Sequence, residues 1–129
     1  MAAYDPNCAF CKIVNKELAS AIIYSDQYAI AFRDINPASK GHTLVVPKKH
    51  YASIADMPPD ILGKTIEAVR KVTEMLRNED YSVTGFNILN CSGKDSGQSV
   101  DHFHMHVIPR RKGDADEVVP KIDALLRPK

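Results

Sequence analysis

The apolar positions of the chain fall into runs of two different periods. From Cys8 to Glu17, Phe10, Ile13 and Val14 recur at helical spacing and predict a short helix. Ala21–Tyr24 and Tyr28–Phe32 are short apolar runs split by the turn-forming Ser25-Asp26-Gln27, and they predict two strands. Asp34 to Gly41 is dense in turn formers and predicts a loop. His42–Val46 then predicts a buried strand stopped by Pro47. Pro58-Pro59-Asp60 open the one long helix, with Asp56 as its cap. Its stripe is Ile61, Leu62, Ile66, Val69, Val72, Met75 and Leu76, each large member worth roughly 1.5–3 kcal/mol when buried. Phe86–Asn90 predicts another strand, followed by a polar, glycine-containing loop from Cys91 to Gln98. Asp114 to Leu126 predicts a weak amphipathic helix through Val118, Val119, Ile122, Leu125 and Leu126, interrupted at Pro120. The strand connections are short, so the sum is an α+β domain with one mostly antiparallel meander sheet.

Between the polar loop and the tail, His102, His104 and His106 alternate with Phe103, Met105 and Val107. A helix would scatter three such imidazoles around its axis. A strand places them on one face at intervals of roughly 6.6–7 Å, with the apolar residues facing a core. Pro109 cannot donate to a sheet ladder and marks the expected end of the pairing. Such a row serves either as nucleophile and acid–base machinery or as a metal-chelating face. A single strand histidine is usually just hydrogen-bonded or exposed, and three in alternation exceed that ordinary role.

Length and composition narrow the field. A chain of 129 residues with 44% hydrophobic and 26% charged content suits one soluble domain, read as a core over about 8–110 with a tail over 111–129. The net charge of +1 and the short clusters Lys48-Lys49 and Arg110-Arg111-Lys112 give no footprint for long nucleic acid. No apolar run reaches the ~18–20 residues of a membrane span. The opening MAAYDPNC has no basic-then-apolar leader pattern, and three cysteines suit a reducing cytosol better than a disulfide scaffold.

The loop Ser92-Gly93-Lys94-Asp95-Ser96-Gly97-Gln98-Ser99 delivers the chain to the histidines. Its glycines let backbone amides approach an anion, and Gln98 and Ser99 add side-chain donors. Beside imidazole, such a cradle suggests phosphoryl or nucleotidyl chemistry. A neutral imidazole attacks phosphorus well near pH 7, provided its other nitrogen donates to a fixed acceptor. Cys8-Ala9-Phe10-Cys11 is a second constellation. Too little chain precedes it for a redox βαβ unit. A zinc half-site needs two further ligands, for which His50 and His102 are available, though spacing alone does not choose them. Cys91 has no partner in the pattern.

These motifs together resemble the histidine triad (HIT) superfamily. His102-Phe-His104-Met-His106-Val-Ile matches its signature, and the resemblance extends over Cys8-Ala-Phe-Cys11, Ala31-Phe-Arg-Asp34-Ile-Asn-Pro37, Gly41 to His50, Asn90 and Gly97-Gln-Ser-Val100. The chain is similar to the Hint branch, small nucleoside phosphoramidate hydrolases, in its zinc-containing microbial form. The resemblance implies a HIT-like fold whose sheet continues across a homodimer. It implies His104 as nucleophile, forming a nucleotidyl-histidine, with His106, His42 and Ser99 as further catalytic groups. Asn90 and Gln98 would hold phosphate, Asp34 the ribose hydroxyls, and Phe10, Ile13, Phe32, Ile35 and Leu44 the purine of an AMP- or GMP-type substrate. A structural zinc would sit on Cys8, Cys11, His50 and His102, and no organic cofactor is implied. The loop between Asn90 and His102 is one residue longer than in the best-known eukaryotic members, and the chain has no tryptophan. Three other readings compete with this one. They are a metallohydrolase with zinc on the triad, a dinucleoside polyphosphate hydrolase, and a non-catalytic nucleotide-binding dimer.

Overall fold

The computed structural model describes residues 4–129, so Met1-Ala2-Ala3 of the opening segment lie outside the described residues. A six-residue helix α1 (Ala9–Val14) precedes β1 (Ile22–Ser25), β2 (Ala29–Arg33) and β3 (Thr43–Pro47). The long helix α2 (Pro59–Glu79) leads to β4 (Val83–Leu89) and β5 (Met105–Arg111), and α3 (Ala115–Leu125) ends the domain. The five strands form one antiparallel sheet in the order β1-β2-β3-β5-β4. The α+β meander is thus present, with β5 inserted between β3 and β4.

Strand alternation sorts the side chains onto two faces. Ala29, Ala31, Val45, Met105 and Val107 face one way and meet Ala68, Val69, Val72 and Leu76 of α2. Thr65 is buried in the same stripe because its hydroxyl donates to the Ile61 carbonyl at 2.8 Å. Small Thr65 and Ala68 let the helix lie close to the sheet. The stripe therefore runs through 65, 68, 69, 72 and 76, and Ile66, expected inside, is 44% exposed. Asp56 does not cap α2 either. Pro58 holds that position, while the Asp56 carboxylate accepts from the Ser53 N–H at 3.2 Å in a separate 3-10 turn, Ile54–Asp56.

The opposite face carries Ile30, Phe32, Leu44 and Val46 against Cys8, Phe10, Cys11 and Ile13 of the α1 region. Further along the same face, Ile108 packs with Ala38 and with Val118, Ile122 and Leu125 of α3. Helix α3 runs unbroken through Pro120, contrary to the expected interruption. Proline inside a helix costs about 3 kcal/mol. Burying Val118, worth roughly 1.5–3 kcal/mol, together with the partial burial of Ile122 and Leu125, offsets it. Between α1 and α3 this face stays open, and the site lies there.

The histidine row is only partly a strand. Helical scatter is avoided, but β5 begins at Met105, leaving His102 in a bend, its N–H on the Val100 carbonyl at 2.8 Å, and His104 just outside the strand. The β3–β5 register, Val45 opposite Met105, would next bring Phe103 against Pro47, which has no N–H to offer. The Phe103 N–H instead donates to the Tyr51 carbonyl at 2.7 Å. Pro109 does not end the pairing, because β5 continues beside β4 to Arg111. Its carbonyl accepts from Ser39 Oγ at 2.6 Å on the side that β3 has vacated, and its missing N–H faces that same side. Among the described residues, no helix is long and apolar enough to cross a membrane.

Candidate active site

A cavity of about 500 Å³ opens on this face, lined by Phe10, Ile13, Phe32, Asp34, Ile35 and Leu44 on one side and by Ser99, His104 and His106 on the other. Nine of the residues singled out in the sequence therefore meet in one hollow. Phe10 stands edge-on to Phe32, with ring centroids 5.3 Å apart, and forms an apolar slot with Leu44 and Ile13. Ile35 is 90% exposed at the rim.

Fixed hydrogen-bond partners assign the tautomers of the buried imidazoles. The His104 Nδ1 lies 2.8 Å from the His102 carbonyl, which can only accept. Nδ1 therefore carries the proton, and Nε2 presents a bare lone pair. The Ala38 N–H, which can only donate, meets His42 Nδ1 at 2.9 Å. In neutral His42 the proton then sits on Nε2, which donates to His106 Nδ1 at 2.9 Å. His106 in turn bears its proton on Nε2, leaving a donor beside the bare nitrogen of His104. Their ring centroids are 5.1 Å apart.

Burial keeps these rings neutral. Desolvation pushes His106 down to about 3, helped by the neighbouring His104, His42 and Lys129. It lowers His104 as well, against the hydrogen bond to the His102 carbonyl. His42 also shifts down, although the Asp34 carboxylate 3.5 Å from its Nε2 pulls the other way. Desolvation of a nearly sealed ring outweighs one partly exposed carboxylate.

The other two phosphate-site candidates act through the backbone. Asn90 Nδ2 donates to the His104 carbonyl at 3.0 Å. Gln98 Oε1 accepts from the Gly93 N–H at 2.7 Å, while its Nε2 donates to the Ala52 and Val100 carbonyls at 2.6 and 3.0 Å. Neither lines the cavity. Their polar atoms brace the loop and the His104 backbone, and Ser99 alone of the loop trio reaches the hollow.

His102 faces elsewhere. Its Nε2 donates to the Pro47 carbonyl at 2.8 Å, so its bare Nδ1 looks at Cys8 Sγ and Cys11 Sγ at 3.4 and 3.6 Å. His50 Nδ1 is 3.3 Å from Cys11 Sγ, and all four donor atoms lie within 4.8 Å of one another. Bonds of about 2.3 Å to sulfur and 2.05 Å to nitrogen put the S···N edges of a zinc tetrahedron near 3.6 Å. The donor set fits such an ion, and a carbonyl fixing the ligand's other nitrogen is the usual outer-shell arrangement. Burial pushes the Cys11 thiol up to about 11 and His102 down to about 4, so ion binding would displace thiol protons but find His102 already neutral.

The row therefore does not converge on one point: one member turns to the cysteines and two to the cavity. A second grouping, Asp34, His42 and His106, is a poor metal set despite its proximity. His42 Nδ1 is held by the Ala38 N–H and Nε2 carries the proton that His106 accepts, so neither nitrogen has a lone pair to spare.

Several functional groups left no trace in residue type. The Pro47 and His102 carbonyls and the Ala38 amide are backbone atoms, which spacing patterns cannot reveal. Asp5, whose N–H donates to Cys11 Sγ at 3.4 Å, and Leu125 and Lys129 at the cavity edge come from the two ends of the described chain.

The comparisons with known proteins agree with this geometry. The chain matches the HIT domain over residues 15–113. An uncharacterised HIT-like protein of Methanocaldococcus jannaschii is 48% identical over 111 residues, which span 86% of this chain and 84% of the relative. The adenosine 5'-monophosphoramidase of Saccharomyces cerevisiae is 36% identical across 85% of this chain and 66% of its own length. A zinc-bound histidine triad protein from Mycobacterium smegmatis superimposes with a TM-score of 0.80 at 36% identity, over 84% of this chain and 78% of that one. A buried histidine row on an antiparallel meander, matched in sequence and in three dimensions, leaves one conclusion: this chain belongs to the HIT family.

Proposed function

We propose that the protein hydrolyses purine nucleoside phosphoramidates or related nucleotide conjugates, releasing the nucleoside monophosphate through a nucleotidyl-histidine on His104. The observation that carries this reading is the His104 tautomer. Its proton is committed to the His102 carbonyl, so the lone pair on Nε2 faces the cavity at neutral pH. The Phe10–Leu44 slot suits the flat base, and the Asp34 carboxylate at the rim suits the ribose hydroxyls. The Nε2 lone pair attacks phosphorus, forming a P–N bond to His104 as the bond to the leaving amine breaks. The departing nitrogen takes a proton from His106 Nε2 or Ser99. Water then adds to phosphorus as the P–Nε2 bond to His104 breaks, and one water proton returns to whichever group protonated the amine, so the monophosphate leaves and neutral His104 is regenerated. General acid assistance of this kind is worth about 10²–10⁴ in rate.

Cys8, Cys11, His50 and His102 would hold zinc, whose role is to neutralise thiolates and tie α1 to the sheet. A triad-bound catalytic metal is disfavoured because only His104 offers the cavity a bare lone pair. The outer edge of β4, with Ile88 42% exposed, suits continuation of the sheet across a homodimer. The free thiols of Cys8, Cys11 and Cys91 suit a reducing cytosol.

The test is turnover of adenosine 5'-phosphoramidate. Wild type should release AMP and show a mass adduct of one nucleotidyl group after rapid acid-free denaturation. His104→Ala should lose at least about 10³-fold in kcat with an unchanged circular dichroism spectrum. Wild-type-like turnover in His104→Ala would sink the mechanism.

A further inference from the structure

Helix α1 serves two sites at once. It begins on Cys8 and contains Cys11, and between and beyond them it sends Phe10 and Ile13 into the cavity. At six residues it is too short to persist alone. Its N-terminal cap is the Cys8 sulfur, which accepts the Cys11 N–H at 3.4 Å, so the cysteine cluster holds its first turn. The Phe10 ring lies edge-on to both His102 and His104, with centroids 5.8 and 5.2 Å away. His102 then closes a second link. Its ring faces the cysteines, and its carbonyl takes the His104 Nδ1 proton.

We propose that the four-donor metal site and the nucleotide cavity are thermodynamically linked through α1 and His102. Metal occupancy tightens nucleotide binding, and bound nucleotide slows metal loss. The inference rests on the nucleotide reading above and adds that the zinc site governs affinity for the base. The route is short and contiguous. An ion joining Cys8 and Cys11 to His50 and His102 fixes the helix that carries Phe10, and with it the slot wall. A base seated against Phe10 in turn holds the two cysteines in register. Linkage is reciprocal, so one coupling factor describes both effects, and couplings between sites commonly amount to about 5–150-fold.

The experiment uses the zinc-loaded protein. AMP affinity is measured by calorimetry on the loaded protein and on chelator-stripped protein whose fold is checked by circular dichroism. Zinc transfer to a chromogenic chelator is timed with and without saturating AMP. The expected results are AMP binding weakened about 10-fold or more on stripping, and zinc release slowed by a similar factor with AMP. Hydrogen exchange separates a local link from general stabilisation. AMP should protect the amides of residues 9–15 more than those of α2, and zinc should leave faster than the protein unfolds globally. Phe10→Leu, which keeps bulk but removes the ring contacts, should shrink the effect of AMP on zinc release even at saturating AMP. Equal zinc release with and without AMP, in protein shown to bind AMP, overturns the linkage while leaving the proposed function standing. Uniform protection of the whole chain, or zinc release no faster than global unfolding, also overturns it. No AMP binding to the loaded protein overturns both.

Discussion

Replacing Gly97 by alanine tests how the tail is held against the loop before the histidines. Gly97 has φ +104°, and a Cβ there would stand 2.0 Å from the Leu125 carbonyl oxygen and 3.2 Å from that of Arg127. The first contact falls short of van der Waals separation by more than about 1 Å, and the opposing atom is backbone that cannot rotate away. Gly93 supplies the control. It has φ +90° in the same loop, but nothing lies within 4 Å of its Cβ position. Gly97, with ψ 12°, is left-handed and costs a side chain about 1–2 kcal/mol; Gly93, with ψ 154°, lies in a region essentially reserved for glycine, at about 1–3 kcal/mol, and only Gly97→Ala must also expel the end of α3. Losing the partial burial of Leu125 adds about 1–2 kcal/mol. We expect Gly97→Ala to cost about 2–4 kcal/mol, a Tm drop of roughly 8–15 °C, and Gly93→Ala about 1–3 kcal/mol from backbone strain alone with the tail still seated. Thermal melts give the stabilities, and trypsin cleavage after Lys121 reports release of the tail. Tail cleavage no faster in Gly97→Ala than in Gly93→Ala would refute the contribution of this contact.

Acid should destabilise the fold before any carboxylate titrates. His106 is neutral when folded down to about pH 3, whereas in the unfolded chain it protonates near pH 6.5. Its folded pKa is depressed, so the unfolded state alone gains a proton as pH falls below ~6.5. One such histidine costs about 2 kcal/mol by pH 5, and His42, shifted in the same direction, adds to it. Urea midpoints should be flat from pH 7 to 8 and fall steadily below 6.5, and a midpoint unchanged at pH 5 would contradict the buried-neutral assignment. His42→Leu removes the donor that fixes His106 Nδ1; kcat should fall about 10–100-fold, by analogy with other supporting hydrogen bonds, with KM nearly unchanged. Val118→Ala should cost about 1–3 kcal/mol in chemical denaturation and make α3 more open to protease. Chelation should lower the Tm, and added zinc should restore it where magnesium, a hard, oxygen-seeking ion, does not.

Much of this architecture could be read from residue types because each signal had a single physical cause. The strands of the β2–β3 hairpin follow from dense apolar runs bounded by turn formers, and the cysteine and histidine donors are recognisable side chains. The reading failed where backbone atoms or neighbours decided. The histidine strand starts late because Pro47, distant in sequence, has no amide to pair with Phe103. Pro109 stays in the ladder because β3 has already ended on its N–H side. Pro120 stays in a helix because the aliphatic face around Val118 is buried, a tertiary gain that local propensity cannot show. In the site, Asn90 and Gln98 have the donor chemistry of phosphate ligands, yet carbonyls invisible to sequence patterns occupy them.

The segment from His102 to Val107 carries two kinds of information in alternate letters. Phe103, Met105 and Val107 belong to the core under α2, while His104 and His106 turn to the cavity. Selection on folding and selection on chemistry thus fall on different residues of the same few, interleaved and almost independent. In a saturation library scored for abundance and turnover separately, 103, 105 and 107 should fail in both screens, whereas polar replacements at 104 and 106 should fail in turnover alone. A lineage could therefore lose the reaction here in one step and keep the nucleotide-shaped hollow intact, so binding can outlast catalysis.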